Sequence, residues 1–416
     1  MTAKLLTGNA AAAWGARLAG VDYLPAFPIT PQTEIIETMA RWSSEGKVPC
    51  KMVMFESEHS MITAAGAAAS TGVRVFSATS SQGLLHGMEM LYTVAGWRVP
   101  FVLANVSRGL ASPITLEADH NDVMAARDCG FLQFHAATCQ EVVDLMLMAY
   151  RVSEDRAVRL PVLVNLDGFY LSFTREPVVL PDEQAVAKFL PPFHHADGEF
   201  RAGHPTSRAV AVLGSGPYSY FRYEAHLAAL EALPVFDNAA AEFEQAFGRR
   251  YRAVDCYKAD DAEVVIVMIG SFSTKARDAV DQLRKAGHKV GLVRPVLLRP
   301  FPEEELRKAL IGKKGVAVID QNLAPGRGGV LHMEVRSTLF GSTNAPAVVC
   351  SYIGGLGGRD IGPAEFYRIV EETTAAAGDG KTPPPRLLYA QAELSEMRKL
   401  QAIAHIERTE EVTSHE

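Results

Sequence analysis

"MFESEHSMITAAGAAASTG", residues 54–72, decides how the first half of the chain is read. An apolar run, Met52–Phe55, stops at Glu56-Ser57-Glu58-His59, and the chain then turns to Ala64, Ala65, Gly66, Ala67, Ala68 and Ala69. A short apolar strand is handing over to a helix of small residues, the texture of a βα unit. Small residues let another backbone approach closely. Two carboxylates and an imidazole therefore stand at the carboxyl end of a strand, where open α/β sheets bind ligands.

Outward from this stretch the same alternation recurs. Strands are expected at Tyr23–Phe27, Lys51–Phe55, Arg74–Ala78, Phe101–Val106, Phe131–Phe134 and Pro161–Asn165. Helices are expected at Asn9–Ala19 with Asn9 as N-cap, Pro31–Glu45, His59–Ser70, Gln82–Ala95 and Gln140–Ser153. Strands this apolar argue a parallel sheet covered on both faces. From about 176 the Pro-, Gly- and His-rich texture reads as an extended surface excursion with no sheet element. Helices follow at Phe221–Leu233, ended by Pro234, and at Ala239–Arg250, capped by Asn238. A second α/β pattern starts near Asp260, its first helix capped by Ser273 and stopped at Gly287. Three units are expected: residues 1–255, 256–375, and a tail 376–416 with one charged helix.

The 416 residues are 48% hydrophobic and 21% charged, ordinary for a globular protein. A net charge of −7 gives no basic footprint for nucleic acid. No apolar stretch reaches the roughly 18 residues of a spanning helix. The five cysteines, at 50, 129, 139, 256 and 350, form no CxxC pair. Neither zinc nor an iron–sulfur cluster is signalled, and isolated thiols fit the cytoplasm.

Several familiar motifs fail. "GDGKT" at 378–382 lacks the leading glycine of a phosphate loop and runs into three prolines. "GGLGGRD" at 354–360 lacks dinucleotide-loop spacing and reads as a flexible interface loop. No G-x-S-x-G elbow occurs. Asp119-His120-Asn121-Asp122 offers metal-ligand types, but adjacent positions cannot all face one ion. It reads as an N-cap before Val123–Arg127.

Three polar positions remain at strand ends. Thr30 in "AFPITPQTEII" caps a helix that opens on Pro31, and its hydroxyl could also face an anion. Glu58 is either a first-turn carboxylate favoured by the helix dipole or an acid in a dry seam, able to share a proton with a ligand nitrogen. Arg108, directly after "FVLANVS", is either half of a surface salt bridge or a planar clamp for a carboxylate.

In this order, "FPITPQTEI", "SEHSMITAAGAAASTG", "TSSQGLLHGMEML", "NVSRGL" and "ADHNDVMAARDCGF" resemble the α subunit of the 2-oxoacid:ferredoxin oxidoreductases. "RPVLLRPFPEEEL" and "IGGLGGRDI" extend the likeness to about residue 375. The resemblance implies a pyrimidine-type thiamine diphosphate domain followed by a transketolase C-terminal-like α/β domain. The cofactor would be shared with a β subunit that holds the diphosphate and magnesium. In agreement, the chain lacks a GDG motif followed by paired asparagines. Iron–sulfur clusters would lie in γ and ferredoxin-like subunits, with a flavin- or NAD-linked electron-transfer subunit as a further option.

By position, Glu58 matches the glutamate that hydrogen-bonds the aminopyrimidine ring. Thr30 and Arg108 match the residues that meet the 2-oxoacid. The implied reaction is oxidative decarboxylation to acyl-coenzyme A and carbon dioxide. Phe27 stands where the family usually has Tyr, and Gln32-Thr33 depart from the pyruvate-type pattern, a lean toward a bulkier or aryl 2-oxoacid such as phenylglyoxylate. Pyruvate and 2-oxoglutarate remain alternatives. Glu56 and His59 have no assigned role. Two rivals stand beside this reading: a non-catalytic scaffold subunit, and a self-sufficient transketolase-type enzyme.

Overall fold

Apolar runs of four to six residues become strands, and the segments between them become helices that cover the sheet. The first half runs β1 (Thr2–Thr7), α1 (Gly8–Leu18), β2 (Tyr23–Ala26), α2 (Thr33–Ser44), β3 (Lys51–Met54), α3 (Glu58–Ala69), β4 (Phe76–Thr79), α4 (Gln82–His86), α5 (Met88–Gly96), β5 (Val102–Ser107), α6 (Asn121–Ala125), β6 (Leu132–His135), α7 (Cys139–Ser153), β7 (Val162–Asp167), β8 (Arg175–Leu180) and α8 (Glu183–Phe189). It continues through α9 (Ser215–Phe247), β9 (Val254–Tyr257), β10 (Val264–Val267), α10 (Ser273–Lys285), β11 (Val290–Pro295), β12 (Leu297–Arg299), α11 (Glu303–Leu310), β13 (Gly315–Asp320), α12 (Val330–Leu339), β14 (Val348–Ile353), α13 (Pro363–Asp379), β15 (Arg386–Leu387) and α14 (Gln391–Thr413). This computed structural model describes residues 2–193, 200, 203, 205–208 and 210–413.

The first sheet has the order β12-β6-β7-β5-β4, parallel except for β12. A parallel bridge from Tyr23 to Val75, with Ser77 Oγ donating to Pro25 O at 2.7 Å, sets the parallel pair β2-β3 beside β4. The strands' carboxyl ends therefore open on one side. Alternation along β5 shows why the sheet is doubly covered. Val102, Ala104 and Val106 pack with α1, α2 and α7, whereas Phe101 and Leu103 pack with α3 and α5. Burial of each such side chain contributes about 1.5–3 kcal/mol.

The second sheet, β15-β14-β13-β10-β11-β9, is parallel except for β9 and is likewise split into two apolar faces. A boundary at 255/256 would cut β9. The segment expected as a tail includes the end of α13 and β15, which extends this sheet.

Local departures from the sequence reading have physical causes. The segment after 175 is not free of sheet: β8 pairs antiparallel with β1, from Thr2↔Leu180 to Thr7↔Arg175. Thr7 caps α1 by accepting from Ala10 N at 3.0 Å, and Asn9 is buried inside that helix, donating to Pro31 O at 2.9 Å. Pro234 does not end a helix, and Asn238 caps nothing, because α9 runs straight through both. Its buried stripe, Ala228, Ala232, Phe236, Ala239, Ala240 and Phe243, keeps helical spacing across the proline. Phe236 packs edge-on to Phe134 at 5.3 Å. An interior proline costs about 3 kcal/mol, which burial of Phe236, Phe243 and Phe247 outweighs. Ser273 is the first residue of α10, not its side-chain cap, and its hydroxyl donates to Gly270 O at 2.6 Å. Gly287 follows that helix in the left-handed region, φ +92°. "GDGKT" closes α13, with Gly380 as its left-handed C-cap. Gly358 N donates to Ala118 O at 2.8 Å, so the 354–360 loop packs against the first domain's 115–118 segment.

Candidate functional site

Loops after β2, β3, β4 and β5 converge at the open side of the first sheet. Glu58 opens α3, where Ser57 Oγ accepts from Ser60 N at 3.2 Å. It is not a solvated first-turn carboxylate: only 4% of it is exposed. Its Oε2 lies 3.1 Å from His86 Nδ1, and its Oε1 has no hydrogen-bond partner among the described residues. Gly83 makes the room, since a Cβ there would fall 2.4 Å from Oε1. Glu56 and His59 take no part. Glu56 accepts from the Ser60 hydroxyl, which holds its carboxyl below the usual range, and His59 Nε2 lies 3.5 Å from Glu89 Oε2 at the surface.

Arg108 leaves the carboxyl end of β5 and is 5% exposed, so it is no surface salt bridge. Its Nη1 donates to Thr30 O at 2.7 Å and its Nη2 to Gln82 Oε1 at 2.7 Å, while Nε is buried without a partner among the described residues. Burial lowers its pKa. Thr30 is exposed and meets Arg108 through its carbonyl. It is not a helix cap, because α2 starts only at Thr33, after Gln32. Gln32 is buried, and its Nε2 donates to Phe27 O at 2.9 Å.

The short helix α4 joins the two groups. Gln82 at its start holds Arg108; Gly83 and His86 border Glu58. Within "TSSQGLLHGMEML" nothing local singles out Gln82, Gly83 or His86, since their partners are distant in sequence. The N-cap expected of residues 119–122 falls on His120, and Asp122 lies inside α6. Fully buried, Asp122 accepts from Ser81 N at 3.0 Å, Asn105 Nδ2 at 3.1 Å, Ser107 Oγ at 2.5 Å and Val123 N at 2.6 Å, and lies 3.4 Å from Arg108 N. Ser81 sits at φ +50°, a strained backbone that this carboxylate secures just before α4. Burial raises the Asp122 pKa against those hydrogen bonds.

Behind Asp122 the two domains are tied together. His120 Nε2 lies 2.6 Å from Asp167 Oδ1, and Asp167 Oδ2 accepts from Ser271 N at 2.8 Å. Burial alone would lower the His120 pKa, but the carboxylates of Asp167, Asp119 and Asp122 reverse the shift to a net rise. Gly270, at φ +76°, leaves space for the His120 ring, which a Cβ there would approach within 2.8 Å. Nearby His135 is fully buried, and burial pushes its pKa down to about 3. Among the described residues, no group of three His, Cys, Asp or Glu side chains could hold a metal ion.

A family profile described as pyruvate flavodoxin/ferredoxin oxidoreductase, thiamine diphosphate-binding, matches residues 14–240, and one for pyruvate:ferredoxin oxidoreductase core domain II matches residues 262–366. The chain belongs to the 2-oxoacid:ferredoxin oxidoreductase family as an α-type subunit. It is 40% identical over 373 residues to pyruvate synthase subunit PorA of Methanothermobacter thermautotrophicus, covering 90% of this chain and 96% of the relative. It is 39% identical over 380 residues to ketoisovalerate oxidoreductase subunit VorA of Pyrococcus horikoshii, covering 91% and 95%. In fold it resembles a 2-oxoglutarate:ferredoxin oxidoreductase from Magnetococcus marinus, with a TM-score of 0.69 at 20% identity, covering 89% of this chain and 65% of that one. It also resembles a split-gene transketolase, with a TM-score of 0.51 at 13% identity, covering 87% and 97%. Among the described residues no helix is long and apolar enough to cross a membrane.

Proposed function

We propose that this chain supplies the acid and the substrate clamp of a thiamine diphosphate site completed by a β subunit. One observation carries the reading. Helix α4 touches a buried carboxylate, Glu58, through His86 and a buried guanidinium, Arg108, through Gln82, and among the described residues neither Glu58 Oε1 nor Arg108 Nε has a hydrogen-bond partner. The residues present suit the pyrimidine half of the cofactor. A ring nitrogen can meet Glu58 Oε1 over Gly83, whose missing side chain leaves the carboxylate its place. Magnesium and the diphosphate would be held by the β subunit, and iron–sulfur clusters by γ and ferredoxin-like subunits.

Bound thiamine diphosphate would supply the carbon nucleophile that attacks the keto group and carries the electrons left by decarboxylation. The chain's own contributions are separate from that chemistry. Glu58 shares its proton with the pyrimidine ring in a site that excludes competing water. Arg108, already desolvated, turns toward the 2-oxoacid carboxylate and fixes its orientation. That grip must stay moderate, because a very tight hold on the leaving carboxylate stabilises the ground state. The acyl product passes to coenzyme A.

A short aliphatic 2-oxoacid is the proposed substrate class, supported by the pyruvate and ketoisovalerate named for the relatives. Neither relative's name supports the lean toward an aryl substrate such as phenylglyoxylate.

Co-expression with the β, γ and ferredoxin-like chains and a viologen-dye screen of 2-oxoacids tests the proposal. Dye reduction that requires thiamine diphosphate, coenzyme A and Glu58 is expected. Full activity of Glu58→Ala would overturn it. Tight magnesium-dependent cofactor binding by the isolated chain would favour self-sufficiency instead.

A further inference from the structure

We infer that His86 is a positioning residue that aims the Glu58 carboxylate, an inference resting on the cofactor reading above. Three observations meet at this residue. His86 Nδ1 lies 3.1 Å from Glu58 Oε2, and this is the carboxylate's one side-chain hydrogen bond among the described residues. The ring ends the same five-residue helix whose start holds Arg108 through Gln82. The imidazole side chain is 59% exposed where the carboxylate it touches is 5% exposed, so the ring spends one nitrogen inward and keeps the other outside.

The chemistry follows from which oxygen is taken. With the acid's proton on Oε1 or already given up, Oε2 only accepts, so Nδ1 carries the hydrogen and donates to it. That contact fixes the last torsion of the Glu58 side chain, which is otherwise broad and roughly two-fold. Oε1 is thereby left over Gly83 as the oxygen that meets a ring nitrogen. A donor on Oε2 also stabilises the charge that remains once Oε1 has given its proton to the ring. Without His86 the carboxylate would still be buried. It would lack both the orientation and the compensating donor.

The test uses the assembled multisubunit enzyme. His86→Leu removes the donor; His86→Asn keeps an N–H near the position of Nδ1. Expected for His86→Leu is a kcat loss of roughly 10- to 100-fold, the worth of one hydrogen bond to a charged group. The KM for the 2-oxoacid should stay within about twofold, because Arg108 and Gln82 are untouched. Calorimetric titration of thiamine diphosphate into cofactor-free complex should show binding weakened several-fold by His86→Leu and largely restored by His86→Asn. In a Glu58→Ala background, His86→Leu should change cofactor affinity no further, because the pair acts as a unit. Wild-type kcat and affinity in His86→Leu would overturn the inference. So would equal impairment of the Leu and Asn variants, or an undiminished His86→Leu effect without Glu58. Failure of the parent reading looks different: Glu58→Ala itself would retain both turnover and cofactor affinity.

Discussion

Gly83→Ala puts the geometry of the acid under direct strain. The added Cβ would stand 2.4 Å from Glu58 Oε1, 2.7 Å from Thr79 Oγ1 and 3.0 Å from Glu58 Cδ. Ordinary contact begins near 3.4 Å, so the carboxylate must retreat by about 1 Å. Two stability effects nearly offset. Alanine is better than glycine in a helix by about 0.5–1 kcal/mol, and overpacking costs about 1–3 kcal/mol. The net loss, about 0–2.5 kcal/mol, is small against the roughly 5–15 kcal/mol of a typical domain. Catalysis is far less tolerant, since a misplacement of about 1 Å costs roughly 100-fold. That is about 2.7 kcal/mol of barrier. Gly83→Ala should therefore assemble and melt within a few degrees of wild type while its kcat in the dye-linked 2-oxoacid assay falls roughly 100-fold. Assembled Gly83→Ala enzyme with kcat within about threefold of wild type would refute the placement of Glu58 as the reacting acid.

Arg108→Ala should raise the KM for the 2-oxoacid by roughly 10- to 100-fold, the worth of charge-assisted hydrogen bonds, whereas Glu58→Ala should abolish turnover with little change in substrate affinity; comparable affinity losses in steady-state kinetics and substrate binding would refute that division. Asp122→Ala leaves Ser81 N without its acceptor, at about 1–3 kcal/mol, while Asn105 Nδ2 falls back on Asn165 Oδ1 and the Ser107 hydroxyl on Asp119 O. A clear drop in denaturation midpoint is expected, with a smaller one for Asp122→Asn. His135 makes stability depend on pH. Its native pKa is about 3, so below the ordinary imidazole value the unfolded chain takes up a proton that the native chain refuses. Its contribution is complete above about pH 6.5 and is lost as pH falls, by about 1.4 kcal/mol per unit. His135→Phe should flatten that acid limb in denaturant titrations at pH 7 and pH 5, and an unchanged slope would contradict the assignment.

The strand–helix alternation was legible because each strand buries both faces and each helix keeps a stripe. The spacing in "FVLANVS" and "AEVVIVMIG" already carries that information. Glu58 and Arg108 were legible as polar residues at strand ends. Their burial was not, because it depends on α4 lying across both, and nothing local to either residue reports that. Gln82, Gly83 and His86 were hidden for the same reason: their partners lie 26 to 28 residues away, or in Gly83's case are defined by an absent side chain. The cap expected of residues 119–122 falls on His120, whereas the role of Asp122 has no local signal because Ser81, Asn105 and Ser107, which donate to it, come from the turn before α4 and from β5. Pro234 misled because local propensity favours a break that three buried phenylalanines override. β8 escaped notice because its pairing partner is the chain's far end, β1.

In the proposed site, Glu58 faces a thiamine ring held from the opposite side by another subunit. A cryo-electron microscopy map of the assembled complex with thiamine diphosphate and magnesium tests this most directly. It should place a Glu58 oxygen about 2.6–3.2 Å from a pyrimidine nitrogen, with the diphosphate gripped by the β subunit. A map with the Glu58 carboxylate turned to solvent, or with the whole cofactor seated elsewhere, would contradict it.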